Sequence, residues 1–473
     1  MAQTLPKNDS DLGLRRLQLA LDGVSVASKW NELQMHDEGI RRYPCYPVEL
    51  SVWNQVNSEL GISENPHHRF WWSRHSGRAL AVLLHNAGYP PDIQYRDLKF
   101  FAQVVAPHLG ASHKTTAKGG TPSWPSFMTD DGTPIELSWD WGTKDSSPVI
   151  RYSIEPIGLQ AGSSLDPCNL TAGPKFQGQL VHSLPEMRLE LFQHFISFFN
   201  GHINENLEPK GDEGDHQSSI FYAFDLAETG ITAKVYFFPK MRASLSGQSN
   251  LQVISEAINT IPGVKNEDLE AFRTFCDFTS DEANKDLEHE MLAIDLINPA
   301  KSRLKIYFRS RDTTFNSVIN IMILGGRLGN PRLYLGLVDL HWMWRALFGV
   351  TGSLDQPLGD STHRTAGILY NVEFKPGDTV PVVKIYLPVR HYSSSDAAVI
   401  RGLNDYFQYR QRGKYMPDYV KTMSTLFPTG LMRKQSGVQT YVGCAIRPDG
   451  TLRVVSYFKP QTSDLFFDDE EGS

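Results

Sequence analysis

The sequence predicts an α+β fold in which ten antiparallel strands close into one barrel surrounded by helices. Three observations carry this expectation. Five hairpin patterns are spread along the chain, helical periodicity fills the stretches between them, and an internal repeat sets the second strand of each hairpin in a common register.

Taken in order, residues 1–65 mix polar and helical stretches and read as an N-terminal extension packed on the main body. From Phe70 the pattern turns helical: RALAVLLHNAG closes with Gly88 and YRDLKFFAQVVAPHLG with Gly110, each a helix stop. GASHKTTAKGGTPSWP (110–125) reads as a loop. The hairpins then pair IELSWDW (135–141) with VIRYSIEPI (149–157), SIFYAFDLA with ITAKVYFFP, and MLAIDLI with RLKIYFRS. The last two pair GILYNVEFK with VVKIYLPV and TYVGCAIR with LRVVSYFKP, each across turn residues. Helical patterns lie between them, at 184–200, 269–278, 333–349 and 396–410. The acidic run FFDDEEGS reads as a solvated tail over 461–473, which leaves 66–460 for a single barrel domain.

Ten strands in an open sheet would expose two edges, and closure removes them. The second strands read RYSIEP, KVYFFP, KIYFRS, KIYLPV and VSYFKP. Their register aligns Ser153, Tyr236, Tyr307, Tyr386 and Tyr457, and two residues earlier Arg151, Lys234, Lys305 and Lys384, with Val455 breaking the rule. Strand alternation sends Leu304, Ile306 and Phe308 outward to the helices and Arg303, Lys305 and Tyr307 into the lumen.

Composition narrows what such a lumen serves. The 473 residues carry a net charge of −7, which argues against a nucleic-acid partner. The longest apolar run, INIMILGG, is too short to span a membrane, and the N-terminus lacks the apolar core of a secretory signal. A cytoplasmic location is expected. The four cysteines, Cys45, Cys168, Cys276 and Cys444, are scattered and read as free thiols. Against this background, Lys and Arg converging in a lumen form an anion clamp suited to a diphosphate. Tyrosine faces beside it stabilise a cation. Glu136, on an inward strand position, is placed to accept a proton or hydrogen bond from an aromatic nucleophile, or else to pair with Arg151.

At these residues the sequence resembles the fungal aromatic prenyltransferases of the dimethylallyltryptophan synthase family. The motifs that carry the resemblance are FWWSRHSGRALAVLLHNAGY, SFMTDDGTPIELSW, RYSIEPIG, KVYFFP, SRLKIYFR, LGGRL, HRTAGILYNVEFKPG and KIYLPVRHY, from about Phe70 to Pro460. The resemblance implies an αββα prenyltransferase barrel of ten antiparallel strands. It implies transfer of a dimethylallyl group from dimethylallyl diphosphate to an aromatic acceptor, without cofactor or divalent ion. It makes Glu136 and Lys234 the catalytic candidates. Arg151, Lys234, Arg303 and Lys305 match the diphosphate clamp, Lys384 stands where many members have Gln, and Tyr236, Tyr307 and Tyr386 match the cation shield. Tyr457 joins that shield by repeat register, with Tyr441 as a second candidate.

The expected acceptor is indole-containing: a tryptophan derivative, cyclic dipeptide or indole alkaloid of secondary metabolism. The alternatives are a phenolic polyketide such as a xanthone or tricyclic aromatic, and a non-catalytic diphosphate-binding barrel. Glu290 stands near where some tryptophan-using members carry an Arg for the amino acid carboxylate, and is expected to repel that carboxylate. The partners implied are the diphosphate and a small aromatic molecule, with the protein a monomer or homodimer. No D-D-x-x-D motif for magnesium is present; TDDGT (129–133) precedes a strand. His67 and His68 read as surface loop residues, His363 and His391 as strand flanks at the pocket rim, LGGRLGN as a turn, and the tryptophans of HWMWRALF as core.

Overall fold

The structure, a computed structural model, describes residues 49–460 apart from 62, 113–123, 144–145, 201–215 and 435. Residues 1–48 of the expected extension, most of the 110–125 loop, the 461–473 tail and Cys45 therefore lie outside the described residues.

Ten strands follow one another round a closed barrel: β1 (Ile135–Asp140), β2 (Val149–Ile154), β3 (Ile220–Ala227), β4 (Gly230–Phe237), β5 (Glu288–Asp295), β6 (Leu304–Ser310), β7 (Ile368–Phe374), β8 (Val382–Leu387), β9 (Gln439–Ile446) and β10 (Leu452–Phe458). Each strand pairs antiparallel with the next, and β10 returns to β1 with Leu137 opposite Phe458 and Ser138 opposite Tyr457. The expected closed barrel of five hairpins is what the chain forms.

The outward side chains make the main core. Ile135, Leu137 and Trp139 on β1 and Leu304, Ile306 and Phe308 on β6 are fully buried, in one cluster with Leu80, Leu83, Phe272, Phe275, Leu340 and Trp344 from the surrounding helices. Helix Ser51–Leu60, from the segment read as an extension, buries Val52 and Val56 in that same cluster. Tyr236, Tyr307, Tyr386 and Tyr441, inside the barrel, belong to a separate apolar cluster around Ala293 and Leu369.

Three local expectations change. The stretch 95–110 is not one helix. An α-helix over Pro91–Phe100 passes into a π-turn, Phe101–Val105, and a 3₁₀ turn, Ala106–His108, where Pro107 lacks the N–H that a continuing helix needs. The helix expected from 184 begins at Glu190, because Leu184 and Pro185 form a turn closed by Met187 N–H to Leu184 O. His67 and His68 are not surface loop residues. They sit in the helical turn Pro66–Arg69, where His68 Nε2 meets Ala102 O at 2.7 Å and His67 Nδ1 accepts from Ser112 N–H. By contrast, 324–330 is the turn expected, and Trp344 is core, whereas Trp342 is half-buried and stacks on the exposed Tyr409.

Two β-bulges interrupt the ladder. On β5, His289 faces Phe308 and Met291 faces Tyr307, so Glu290 is the extra residue. On β9, Val442 faces Ser456 and Gln439 faces Phe458, so Thr440 and Tyr441 together span Tyr457. A bulge re-aims the side chains beside it. Among the described residues, no helix is long and apolar enough to cross a membrane.

Candidate active site in the barrel lumen

The lumen is layered because each strand alternates. Following inward positions along β6, Arg303 and Lys305 come first, then Tyr307, then Arg309. The other strands step likewise through Lys234 and Tyr236 on β4, Lys384 and Tyr386 on β8, and Arg453, Val455 and Tyr457 on β10. The result is a cationic chamber at one end, a chamber of mixed charge at the other, and a belt between them. Ser153, Tyr236, Tyr307, Tyr386 and Tyr457 line both chambers.

The cationic chamber gathers Arg151, Lys234, Arg303, Lys305, Lys384 and Arg453. The sequence reading had an external anion neutralise them, but four carboxylates, Asp140 and Asp295 buried and Asp225 and Glu373 half-buried, already do much of this. Asp225 takes Lys234 at 2.6 Å and Arg151 at 3.2 Å. Asp295 takes Lys305 at 2.5 Å and Arg303 at 2.8 Å, Glu373 takes Lys384 at 2.6 Å, and Asp140 takes Arg151 and Arg453. Six cations against four carboxylates leave an excess of two positive charges. Burial pushes Asp225 up, but Lys234 and Arg151 outweigh it and hold the carboxyl at about 2. Burial lowers Lys305 to about 7, with Asp295 opposing and Arg303 and Lys234 reinforcing, and lowers Lys384 to about 8 against Glu373. Desolvated ammonium groups short of their usual proton affinity are ready to be recharged by an incoming anion.

In the belt each ring packs tilted against the next. Centroids lie 5.7 Å apart for Tyr236–Tyr307, 5.8 Å for Tyr307–Tyr386 and 5.9 Å for Tyr386–Tyr457. Asn371 Nδ2 donates to Tyr386 Oη at 3.0 Å and fixes that ring. Gly443 makes the belt possible, since a Cβ there would stand 3.1 Å from the Tyr457 ring and 3.4 Å from that of Tyr386. Tyr441 packs edge-on to Tyr386 but lines only the mixed chamber, so of the two C-terminal candidates Tyr457 is the belt member.

The mixed chamber is walled by Phe127, Met128, Phe221, Met291, Leu369 and Tyr441, with five ionisable side chains among them: Asp130, Glu136, Glu290, Arg309 and Arg390. Glu136 does not pair with Arg151. Its Oε1 accepts from Thr440 Oγ1 at 2.6 Å, and burial raises its carboxyl to about 7, with the Thr440 bond pulling the other way. Glu290 is not a bare negative charge. Its Oε1 accepts from Arg309 Nε at 2.7 Å, so the expected repulsion of a carboxylate loses its basis.

Asp130, His363 and His391 converge at the rim with their ligand atoms within 4.8 Å of one another. Their donors are already committed. His363 Nδ1 accepts from Thr365 N–H, which leaves the ring proton on Nε2 facing Asp130, and Arg390 pairs with the same carboxylate. A metal would displace a guanidinium and a proton, and the trio does not fit one. The flanking histidines thus rim the chamber as hydrogen-bonding groups.

Every residue singled out in sequence lies in or on this lumen: Glu136, Arg151, Lys234, Tyr236, Arg303, Lys305, Tyr307, Lys384, Tyr386, Tyr441 and Tyr457. Sequence reasoning missed Arg453, which restores on β10 the cation absent at Val455. It also missed the counter-carboxylates, Arg309, Arg390 and Thr440. Arg453 and Arg309 were legible, being inward by simple alternation from Tyr457 and Tyr307.

The chain matches the family model described as tryptophan dimethylallyltransferase over residues 67–422. It is 34% identical to the 4-O-dimethylallyl-L-tyrosine synthase of Claviceps purpurea, covering 86% of this chain and 91% of that protein. It is 33% identical to a 7-dimethylallyltryptophan synthase of Aspergillus fumigatus, covering 82% and 84%. The fold is similar to the crystal structure of AnaPT from Neosartorya fischeri, with a TM-score of 0.74 at 24% identity over 86% of this chain and 98% of that one.

Proposed function

This chain belongs to the tryptophan dimethylallyltransferase family and is a prenyltransferase, and on that premise we propose that it moves a dimethylallyl group from dimethylallyl diphosphate to an indole or phenol whose N–H or O–H bonds to Glu136. One observation carries the reading: a tyrosine belt shared by a chamber with excess positive charge and a chamber with a half-buried, desolvated carboxylate.

The diphosphate sits among Arg151, Lys234, Arg303, Lys305, Lys384 and Arg453, and the allyl group lies in the belt. The allylic C–O bond breaks and its electron pair leaves with the diphosphate, whose new charge the cations meet without reorganising. The rings of Tyr236, Tyr307, Tyr386 and Tyr457 face the allyl cation and keep water from it. The acceptor attacks across the belt, and its proton passes to Glu136. Lys234, next to the belt, holds the departing oxygen.

Glu136 serves indole N–H and phenol O–H alike. The sequence reading favoured an indole, and the A. fumigatus relative named for a tryptophan product agrees with it. The C. purpurea relative is named for an O-prenylated tyrosine, which favours a phenol. The test is incubation with dimethylallyl diphosphate and indole or phenol acceptors in EDTA, followed by mass analysis. A gain of one C5 unit is expected. Tight diphosphate binding with no gain on any acceptor would overturn the proposal.

A further inference from the structure

We propose that Glu155, which lies behind the lumen, is a positioning residue: it holds the Phe127–Met128 wall of the mixed chamber and so fixes which atom of the acceptor faces the belt. This rests on the prenyl-transfer reading and adds to it a residue that touches neither substrate.

Glu155 follows β2 and is 1% exposed, and among the described residues no cation pairs with it. A carboxylate buried without a counter-charge is costly unless donors surround it. Three do. Trp124 Nε1 donates to Oε1 at 2.9 Å, and the hydroxyls of Ser126 and Ser218 both donate to Oε2, at 2.5 and 2.7 Å. All three donor residues are buried too.

The two hydroxyls pass the hold on to the chamber. Ser126 Oγ accepts from Met128 N–H at 3.1 Å, and Ser218 Oγ accepts from Phe127 N–H at 3.2 Å. Phe127 and Met128 both line the mixed chamber, so each wall residue hangs from Glu155 Oε2 through one hydroxyl. The Phe127 ring then stacks on His216 with centroids 3.9 Å apart and packs edge-on to Phe238 at 6.1 Å. Phe238 in turn meets Phe221, a further wall residue, at 4.8 Å.

The same residue ties the wall to Glu136. Glu155 N–H donates to Pro134 O at 2.9 Å, just before β1, and Ser153 pairs with Glu136 across β1 and β2. Wall and carboxylate therefore share one hairpin as their frame. An acceptor bonded to Glu136 by its N–H or O–H still has a ring to orient, and the wall beside that bond orients it.

The chemistry calls for a carboxylate at this place. Indole N–H approaches one oxygen and two hydroxyls approach the other, so both prongs must accept. A glutamine offers one oxygen. With its amide nitrogen towards Trp124, donor faces donor. Turned round, its N–H groups face hydroxyl oxygens that already accept from Phe127 and Met128, and the hydroxyl protons lose their acceptor.

The experiment uses the full chain, dimethylallyl diphosphate and whichever of L-tryptophan, L-tyrosine, a tryptophan-containing cyclic dipeptide or a hydroxyxanthone turns over fastest. Glu155→Gln should raise KM for that acceptor by about tenfold and leave KM for dimethylallyl diphosphate within about twofold. The share of product alkylated at the wild-type position, read by NMR, should fall. Ser126→Ala and Ser218→Ala should each reproduce part of both effects. Adding either to Glu155→Gln should cost little more, because the same relay is already broken. The rise in Tm with pyrophosphate reports that each variant has folded, and the serine variants stand alone if Glu155→Gln fails that check. Calorimetric binding of the acceptor in the presence of pyrophosphate reads the wall without turnover. Equal loss of donor and acceptor affinity, or folded variants with wild-type acceptor KM and product position, would overturn the inference. Failure of the wild-type chain to transfer a C5 unit to any acceptor counts instead against the function.

Discussion

A single hydrogen bond sets the working range of the presumed base. Glu136 faces the chamber from a half-buried position, and desolvation there would by itself keep its carboxyl protonated well above the usual range. Thr440 Oγ1, donating to Oε1 at 2.6 Å, favours the ionised form and draws the value down to about 7. A protonated carboxyl neither accepts the acceptor's proton nor polarises its N–H or O–H, so kcat/KM for the acceptor should fall as pH drops through about 7. Thr440→Val removes the donor at constant shape and should move that acidic limb upward by as much as about one pH unit, while Thr440→Ser should leave it in place. A limb that does not move in Thr440→Val would remove Glu136 from the titration. Glu136→Gln should lower kcat by about 10²- to 10⁴-fold at every pH. Glu136 was readable from strand alternation. Thr440 was not, because alternation from Gly443 and Tyr441 assigns position 439 to the lumen and 440 to the helices.

At the scale of strands, that failure is the general one. The repeat made five second strands legible because Lys-x-Tyr recurs at fixed spacing, and period-2 patterning does the rest. A bulge adds one residue and leaves no mark in composition, so Thr440 reaches Glu136 unannounced, and Glu290 was placed at the acceptor only through the family resemblance. The counter-carboxylates were missed for another reason. Asp140, Asp225, Asp295 and Glu373 all lie on the first strands of their hairpins, outside the motif that drew attention to the second strands. The belt depends on a residue that is notable only for having no side chain. A methyl at Gly443 would press on the Tyr457 ring at 3.1 Å, tighter than an ordinary contact, and touch the Tyr386 ring at 3.4 Å. Gly443→Ala should therefore shift the belt by a few tenths of an ångström and lower kcat by less than the roughly 100-fold that a displacement of about 1 Å can cost. Dimethylallyl alcohol should rise relative to prenylated product as water reaches the cation. Unchanged partition between alcohol and product would show that the belt does not shield the reaction.

For the whole molecule, the net charge of −7 conceals a chamber where the sign reverses. The closed barrel turns six cations inward, and the four carboxylates beside them let the chain fold without a ligand. The two positive charges in excess are what a diphosphate meets. Buried charges of one sign oppose folding, so an anion that neutralises them should stabilise the protein. At a concentration 100 times its Kd, pyrophosphate should add about 2.7 kcal/mol to the free energy of unfolding, seen as a rise in Tm. The rise should occur in EDTA, because the lysines and arginines of the chamber carry the charge that meets the anion. It should largely survive added salt, because the chamber is screened far less than a surface site. Lys305 is the sharpest probe, being fully desolvated, held at about 7 and bonded to Asp295 at 2.5 Å. Lys305→Ala should cut the pyrophosphate-induced shift and raise KM for dimethylallyl diphosphate by about 10- to 100-fold while leaving KM for the acceptor within about twofold. A variant that loses acceptor affinity as severely as donor affinity would mean that the belt does not separate the two chambers.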